Sequence, residues 1–220
     1  MIYSWLKHND RAKNVIVFFN GWGFDESVVK HLNINSDTNV LVVSDYGKIN
    51  RTLPDLGSYE SSTVIAWSFG VANYHAWQMR NPDVFDTKIA INGTVQGLDR
   101  KFGIPEKVVV HTIANLNAQS YKKFVARCYN NAPPPNIESI AKAITDSEIK
   151  AKRIELQCIN DRYYEHQSYL IWDAIWISEQ DQIFSTKSQK RAWEGNSINL
   201  IDASHVPFSH WQNWQDILAS

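Results

Sequence analysis

The sequence predicts an α/β fold, a mostly parallel central sheet flanked by helices, in a single domain spanning 1–220. Three observations predict it. Short, continuously apolar runs recur along the chain, as strands buried on both faces require. Polar or amphipathic stretches separate them, so strands alternate with crossover segments. One run, Val64-Ile65-Ala66-Trp67, stops at Ser68, with Gly70 two residues on and helix-compatible residues beyond. Such a strand–turn–helix junction lifts a hydroxyl above a sheet.

The elements follow in order. Residues 1–6 alternate in polarity and suit an edge strand. The run 15–19, bounded by Asn14 and Asn20, reads as a buried central strand, and 40–43, 64–66, 89–91, 174–177 and 198–201 read the same way. Crossover helices are expected over 25–32 and 69–80, and a terminal helix over 208–218. From about 102 to about 169 the strand signals fade. There 121–127 has helical spacing, the proline-rich stretch 131–136 breaks it, and 137–149 returns to a helical pattern. This predicts a helical lid insertion over an active site, with a plain structural excursion as the alternative.

Bulk properties exclude several function classes. Net charge is -1, with Lys+Arg 22 against Asp+Glu 23, which argues against a nucleic-acid-binding domain. No apolar run reaches the length of a membrane span, and the N-terminus lacks the apolar segment of a secretory signal. The expectation is a cytoplasmic protein. Cys128 and Cys158 form no C-x-x-C pair, so zinc and redox motifs are unsupported and two buried free thiols are expected. The aromatic residues, Trp 9, Tyr 9 and Phe 9, serve a core or an apolar pocket.

The chemistry centres on Ser68. A serine hydroxyl is nearly inert at neutral pH and needs a base in hydrogen-bonding reach. Upstream, Asn20-Gly21-Trp22-Gly23-Phe24 follows the 15–19 run directly, and its two glycines let the backbone turn and leave N–H groups free. The Trp22 and Phe69 amides are assigned as two donors of an oxyanion hole. Downstream, Asp181 follows the 174–177 run as the acid that orients an imidazole, with Glu179 as its rival. His205, just past the last strand, is the general base. A metal reading from Asp202, His205 and His210 lacks a further ligand motif, and His210 is expected inside the terminal helix. The chain order serine, acid, histidine is that of the α/β-hydrolases.

The segments Phe19-Asn20-Gly21-Trp22-Gly23, Ser44-Asp45-Tyr46, Ala66-Trp67-Ser68-Phe69-Gly70-Val71 and Ile91-Asn92-Gly93-Thr94 together resemble the BioG family, as do Phe102-Gly103-Ile104-Pro105 and the stretches 121–129 and 202–208. Position 66 is alanine where the common elbow has glycine, a mild departure. The resemblance implies a pimeloyl-[acyl-carrier protein] methyl ester esterase of biotin synthesis. It would hydrolyse a methyl ester at the far end of a carrier-bound acyl chain, releasing methanol, with no cofactor and no metal. Such a substrate needs an apolar channel, for which Trp22, Trp67 and Phe69 are candidates. Its acidic acyl-carrier protein needs a basic mouth, for which Lys122, Lys123 and Arg127 are candidates, with Lys142, Lys150, Lys152 and Arg153 as further ones. Two alternatives stand beside it: a general short-chain carboxylesterase or thioesterase, and a non-catalytic hydrolase-fold binding protein.

Overall fold

Every apolar run assigned above to a strand becomes one in the computed structural model, which describes residues 1–49, 51–132, 144–162 and 170–218. The strands are β1 (Ile2–Lys7), β2 (Asn14–Phe19), β3 (Thr38–Ser44), β4 (Ser61–Trp67), β5 (Thr87–Ile91), β6 (Ala174–Ser178) and β7 (Asn199–Ile201). They form one sheet of order β1-β3-β2-β4-β5-β6-β7. Among the described residues only β1, at the edge, runs antiparallel to its neighbour; the other pairings are parallel. Parallel strands need crossovers on the faces, so the central strands are buried on both sides and carry apolar residues without alternation.

The two faces have different covers. Val15, Val17, Phe19, Val64 and Ala66 share one hydrophobic cluster with α1 (Phe69–Gln78). The same cluster takes in Val109, Val125 and Leu156 of α2 (Glu106–Asn115), α3 (Ala118–Cys128) and α4 (Asp146–Asn160). The opposite face, with Ile16, Phe18, Ile65 and Trp67, packs on Val28, Val29, Leu32, Phe208, Trp211 and Trp214. Phe18 and Trp214 are fully buried there, and each such side chain contributes roughly 1.5–3 kcal/mol of burial energy. All residues of α1 are buried: beyond the sheet, Phe69 packs on Phe184, Tyr74 on Phe85 and Trp172, and Trp77 Nε1 donates to the Arg51 carbonyl, so the helix has no solvent face.

Two expected helices are broken. Over 25–32 only a single 3-10 turn forms, at Glu26–Val28. An α-helix would give the Asp25 carbonyl to the Val29 amide. Instead the Asn20 side-chain amide donates to that carbonyl at 3.0 Å, and Val29 N–H turns back to the Glu26 carbonyl. Over 208–218 a 3-10 turn at Phe208–His210 is separated from the short α6 (Trp214–Leu218). Between them the chain is held extended by reciprocal bonds, Asn33 N–H to the Gln212 carbonyl and Trp214 N–H to the Asn33 carbonyl. The Asp216 carboxylate, accepting from the Gln212 and Asn213 amides, caps α6. His210 therefore ends the 3-10 turn and lies outside the terminal helix.

Between β5 and β6 run α2, α3 and α4. The predicted helix at 121–127 is the body of α3. Most of the breaker, 133–136, and the first part of the 137–149 helix lie outside the described residues. The pattern at the end of that stretch becomes the start of α4, where Thr145 and Glu148 form a capping box. The helix α5 (Thr186–Ala192) follows β6. Both cysteines are free, but only Cys128 is buried; Cys158 is partly exposed.

Candidate active site

The end of β4 builds the elbow. Ser68 has φ 60° and ψ -130°, a conformation that costs a non-glycine residue about 1–3 kcal/mol. The turn is held by Ser68 N–H donating to the Ile91 carbonyl at 2.9 Å and by the start of α1 at the next residue. Only glycine fits two residues on: a Cβ at Gly70 would lie 2.1 Å from the Phe19 carbonyl oxygen. The elbow therefore presses directly against the end of β2.

His205 arrives from the loop after β7 and is 1% exposed. Its Nε2 lies 2.9 Å from Ser68 Oγ and its Nδ1 lies 2.8 Å from Asp181 Oδ2. The Asp181 carboxylate is filled on every side. Oδ1 accepts from the Ile183 and Phe184 amides at 2.8 and 2.9 Å, and Oδ2 also accepts from Gln189 Nε2 at 3.0 Å. Glu179, the rival acid, is exposed. Among the described residues no group of three or more His, Cys, Asp or Glu is placed to hold a metal ion. Both nitrogens of His205 face Ser68 and Asp181 instead.

The loop after β2 lies across the elbow. Asn20 braces it, with its side-chain amide on the Phe24 and Asp25 carbonyls and its carbonyl accepting from Tyr46 OH at 2.7 Å. Gly23 has φ 87°, the left-handed region glycine favours. Its carbonyl accepts from Tyr121 OH at 2.6 Å and from Lys152 Nζ at 2.8 Å. Trp22 Nε1 in turn donates to the Lys152 carbonyl at 2.9 Å. Burial lowers the Lys152 ammonium below its usual range and raises the Tyr121 phenol. Among the described residues, the Trp22 and Phe69 amides donate to no loop, cap or side-chain acceptor. For Phe69 this follows from its place as the first residue of a helix.

A cavity of about 70 Å³ touches Ser68. Trp22, Phe69, Phe124, Leu156 and Ile183 line it, with Ile104, Val108, Val109 and Thr112 closing one side. Arg127 is the one charged group on the lining among the described residues, and its Nε donates to the Gln182 carbonyl at 3.0 Å.

Several predicted positions need correction. Trp67 does not line the cavity. Strand alternation turns it to the opposite face of the sheet, fully buried, where Nε1 donates to the His205 carbonyl at 2.9 Å and the ring packs on His205 and Phe208. Lys122 and Lys123 are exposed on α3 and are not on the cavity lining; Arg127 is. Lys152 reaches the Gly23 carbonyl and lines a separate cleft with Tyr121 and Val206, Arg153 reaches the Leu116 carbonyl, Lys150 is exposed, and Lys142 lies outside the described residues. The sequence reading also missed Gln189 and the wall supplied by α2. The apolar triplet Val108-Val109-Val110 next to Lys107 was the available signal for that wall.

A seven-stranded sheet of this order, with a serine on the elbow after its fourth strand and a buried histidine beyond its last, places the protein among the α/β-hydrolases. Comparison with known proteins narrows the placement. The family described as "Pimeloyl-ACP methyl esterase BioG" matches residues 5–217, and the chain belongs to that family. The malonyl-[acyl-carrier protein] O-methyltransferase of Bacteroides fragilis is 33% identical over 199 residues, covering 88% of this chain and 39% of that protein. The chain thus spans about two fifths of that relative's length. The crystal structure of BioG from Haemophilus influenzae superposes with a TM-score of 0.85 at 24% identity, covering 99% of both chains. An esterase from Thermogutta terrifontis shares the fold at a TM-score of 0.68 and 12% identity, covering 99% of this chain and 90% of that one. No helix among the described residues is long and apolar enough to cross a membrane.

Proposed function

We propose that this protein is a serine esterase that removes the methyl ester from pimeloyl-[acyl-carrier protein] methyl ester, giving pimeloyl-[acyl-carrier protein] and methanol. The hydrogen-bonded chain from Asp181 through His205 to Ser68, at 2.8 and 2.9 Å, carries this reading. Family membership supports the choice of substrate.

His205 Nε2 takes the Ser68 proton as Oγ attacks the ester carbonyl. The carbonyl oxygen becomes an anion beside the Trp22 and Phe69 amides, and losing one such donor typically costs about a hundred- to a thousand-fold in rate. The intermediate collapses, His205 returns the proton to the departing methoxide, and methanol leaves the acyl group on Ser68. Water then attacks the acyl-enzyme, giving its proton to His205, and the free carboxylate is released as Ser68 is reprotonated. Asp181 holds the imidazole with its proton on Nδ1, so that Nε2 is free to accept.

The apolar lining beside Ser68 suits an alkyl chain. The α2–α4 insertion acts as the lid, and α3 offers Lys123 and Arg127 on one face, four residues apart, with Lys122 beside them, to an acidic carrier protein. Such exposed charges speed encounter more than they add affinity, so their effect should fade with salt. The test compares hydrolysis of the carrier-linked methyl ester with that of free short-chain esters, for wild type and Ser68→Ala. Preference for the carrier-linked ester at low salt, abolished by Ser68→Ala, is the expected result. Equal rates on both ester classes would point to a general carboxylesterase, and full activity of Ser68→Ala would end the serine mechanism.

A further inference from the structure

Asn92 stands where three strands converge, and its side chain joins two loops that the proposed chemistry must hold together. It follows β5 directly, is 1% exposed and has φ 46°, a left-handed conformation that asparagine tolerates better than most residues. Its Oδ1 accepts from Ser178 N–H at 2.7 Å, at the end of β6, three residues before Asp181. Its Nδ2 donates to Ser178 Oγ at 2.7 Å and to the His205 carbonyl at 3.0 Å, with the Ser204 carbonyl at 3.3 Å beyond. Its own N–H donates to the Trp176 carbonyl at 3.0 Å. Trp67 Nε1, from the strand that launches Ser68, reaches the same His205 carbonyl from the other side at 2.9 Å.

We infer that Asn92 is a positioning residue: together with Trp67 it clamps the backbone of His205 and sets where the imidazole stands between Asp181 and Ser68. This deepens the proposed mechanism and rests on it. The physical argument is one of geometry. His205 lies on a loop after a strand of only three residues, Asn199–Ile201, so β7 pairing alone fixes its backbone weakly. Asp181 orients the ring but does not locate the main chain that carries it. Two buried N–H groups converging on one carbonyl oxygen do locate it. The donors themselves sit at the end of β4 and directly after β5, two strands paired with each other, so the histidine is referenced to the strand that leads into the serine. A misplacement on the order of 1 Å in such a site costs about a hundred-fold in rate.

The test uses Asn92→Asp and Trp67→Phe. Asn92→Asp keeps the shape and the acceptor for Ser178 N–H but sets an oxygen against the two carbonyls. Trp67→Phe removes the opposing donor together with part of a fully buried ring, so its readouts are likewise taken on the folded fraction. The readouts are kcat and KM for ester hydrolysis and the low-field proton resonance of the His205 Nδ1–H that faces Asp181. Asn92→Asp is expected to lower kcat about a hundred-fold with KM changed less than about twofold, and both variants are expected to move the resonance. A purely structural role would lower the melting temperature and leave both readouts of the folded fraction unchanged, and that result in Asn92→Asp would overturn the inference. Should Asn92→Asp fail to fold, the same unchanged readouts in Trp67→Phe would overturn it. Ser68→Ala separates the two layers. An active Ser68→Ala removes the mechanism itself, whereas an inactive Ser68→Ala beside a fully active Asn92→Asp removes only the clamp.

Discussion

Replacing Asp181 by asparagine probes the site through a single atom. Asp181 accepts four hydrogen bonds, from Ile183 N, Phe184 N, Gln189 Nε2 and His205 Nδ1. Asparagine offers one oxygen and one NH₂ group in the same space. The two backbone amides cannot turn away, so they keep the oxygen, and the NH₂ faces Gln189 and His205. Gln189 cannot simply flip, because its Nε2 also donates to the Phe184 carbonyl at 2.8 Å and a flip would set two oxygens against each other. His205 can answer only by accepting at Nδ1 and carrying its proton on Nε2. That nitrogen then donates to Ser68 Oγ and cannot take its proton. In serine hydrolases the tautomer swap costs about 10⁴-fold in kcat, which is about 5 kcal/mol of barrier. The unmatched donors add a stability loss of about 1–3 kcal/mol. The assay is kcat for ester hydrolysis on folded Asp181→Asn, with Glu179→Gln beside it. Glu179→Gln should hold wild-type kcat to within about twofold, as an exposed loop change does. A loss smaller than about tenfold in Asp181→Asn would refute the assignment of the acid.

Two further outcomes follow from contacts already described. Gly70→Ala places a methyl group 2.1 Å from a backbone oxygen of β2, where neither partner can yield, so it should lower stability by about 3 kcal/mol or more and largely abolish soluble protein; a soluble variant with an unchanged melting temperature would contradict the elbow geometry. Glu155 of α4 is pushed up to about 7, chiefly by burial and further by Asp45, against the opposing pull of Tyr46 N–H and Lys152. Its folded pKa exceeds its unfolded value, so its contribution is best at acid pH, declines as pH rises from about 4.5 to about 7 and stays unfavourable above that. Glu155→Gln should therefore raise the melting temperature at pH 8 more than at pH 5, by about 1–3 kcal/mol in stability, and an equal change at both would rule this out.

The sheet was legible because continuous apolar runs have one economical use in a chain of this length. The elbow was legible because Ser68 and Gly70 interrupt such a run at its end. His205 and Asp181 were singled out by their order after late strands, which is local information. The failures are of another kind. Residues 25–32 carry apolar residues the sheet needs, Val28, Val29 and Leu32, yet Asn20 takes the carbonyl that an α-helix would use. Trp67 was misplaced although the alternation of β4 was on the page: Val64 and Ala66 face one way, Ile65 and Trp67 the other. Gln189 behind Asp181 and Asn92 beneath His205 act across 8 and 113 positions of chain, and no local pattern announces a hydrogen bond that only the finished fold creates.

The helical insertion is wired into the loops around Ser68. Tyr121 and Lys152 both hold the Gly23 carbonyl, Trp22 is fastened to the Lys152 carbonyl, and Val206, next to His205, donates to the Cys128 carbonyl at 3.2 Å. Lifting α3 or α4 would therefore drag the Trp22 loop and the histidine loop along with it. Of the three helices, α2 makes no hydrogen bond to these loops among the described residues, although the Arg153 guanidinium ties the carbonyl at its C-terminal end, Leu116, to α4. Trimming the chain to a bare sheet-and-crossover scaffold would dismantle the very loops on which the chemistry rests.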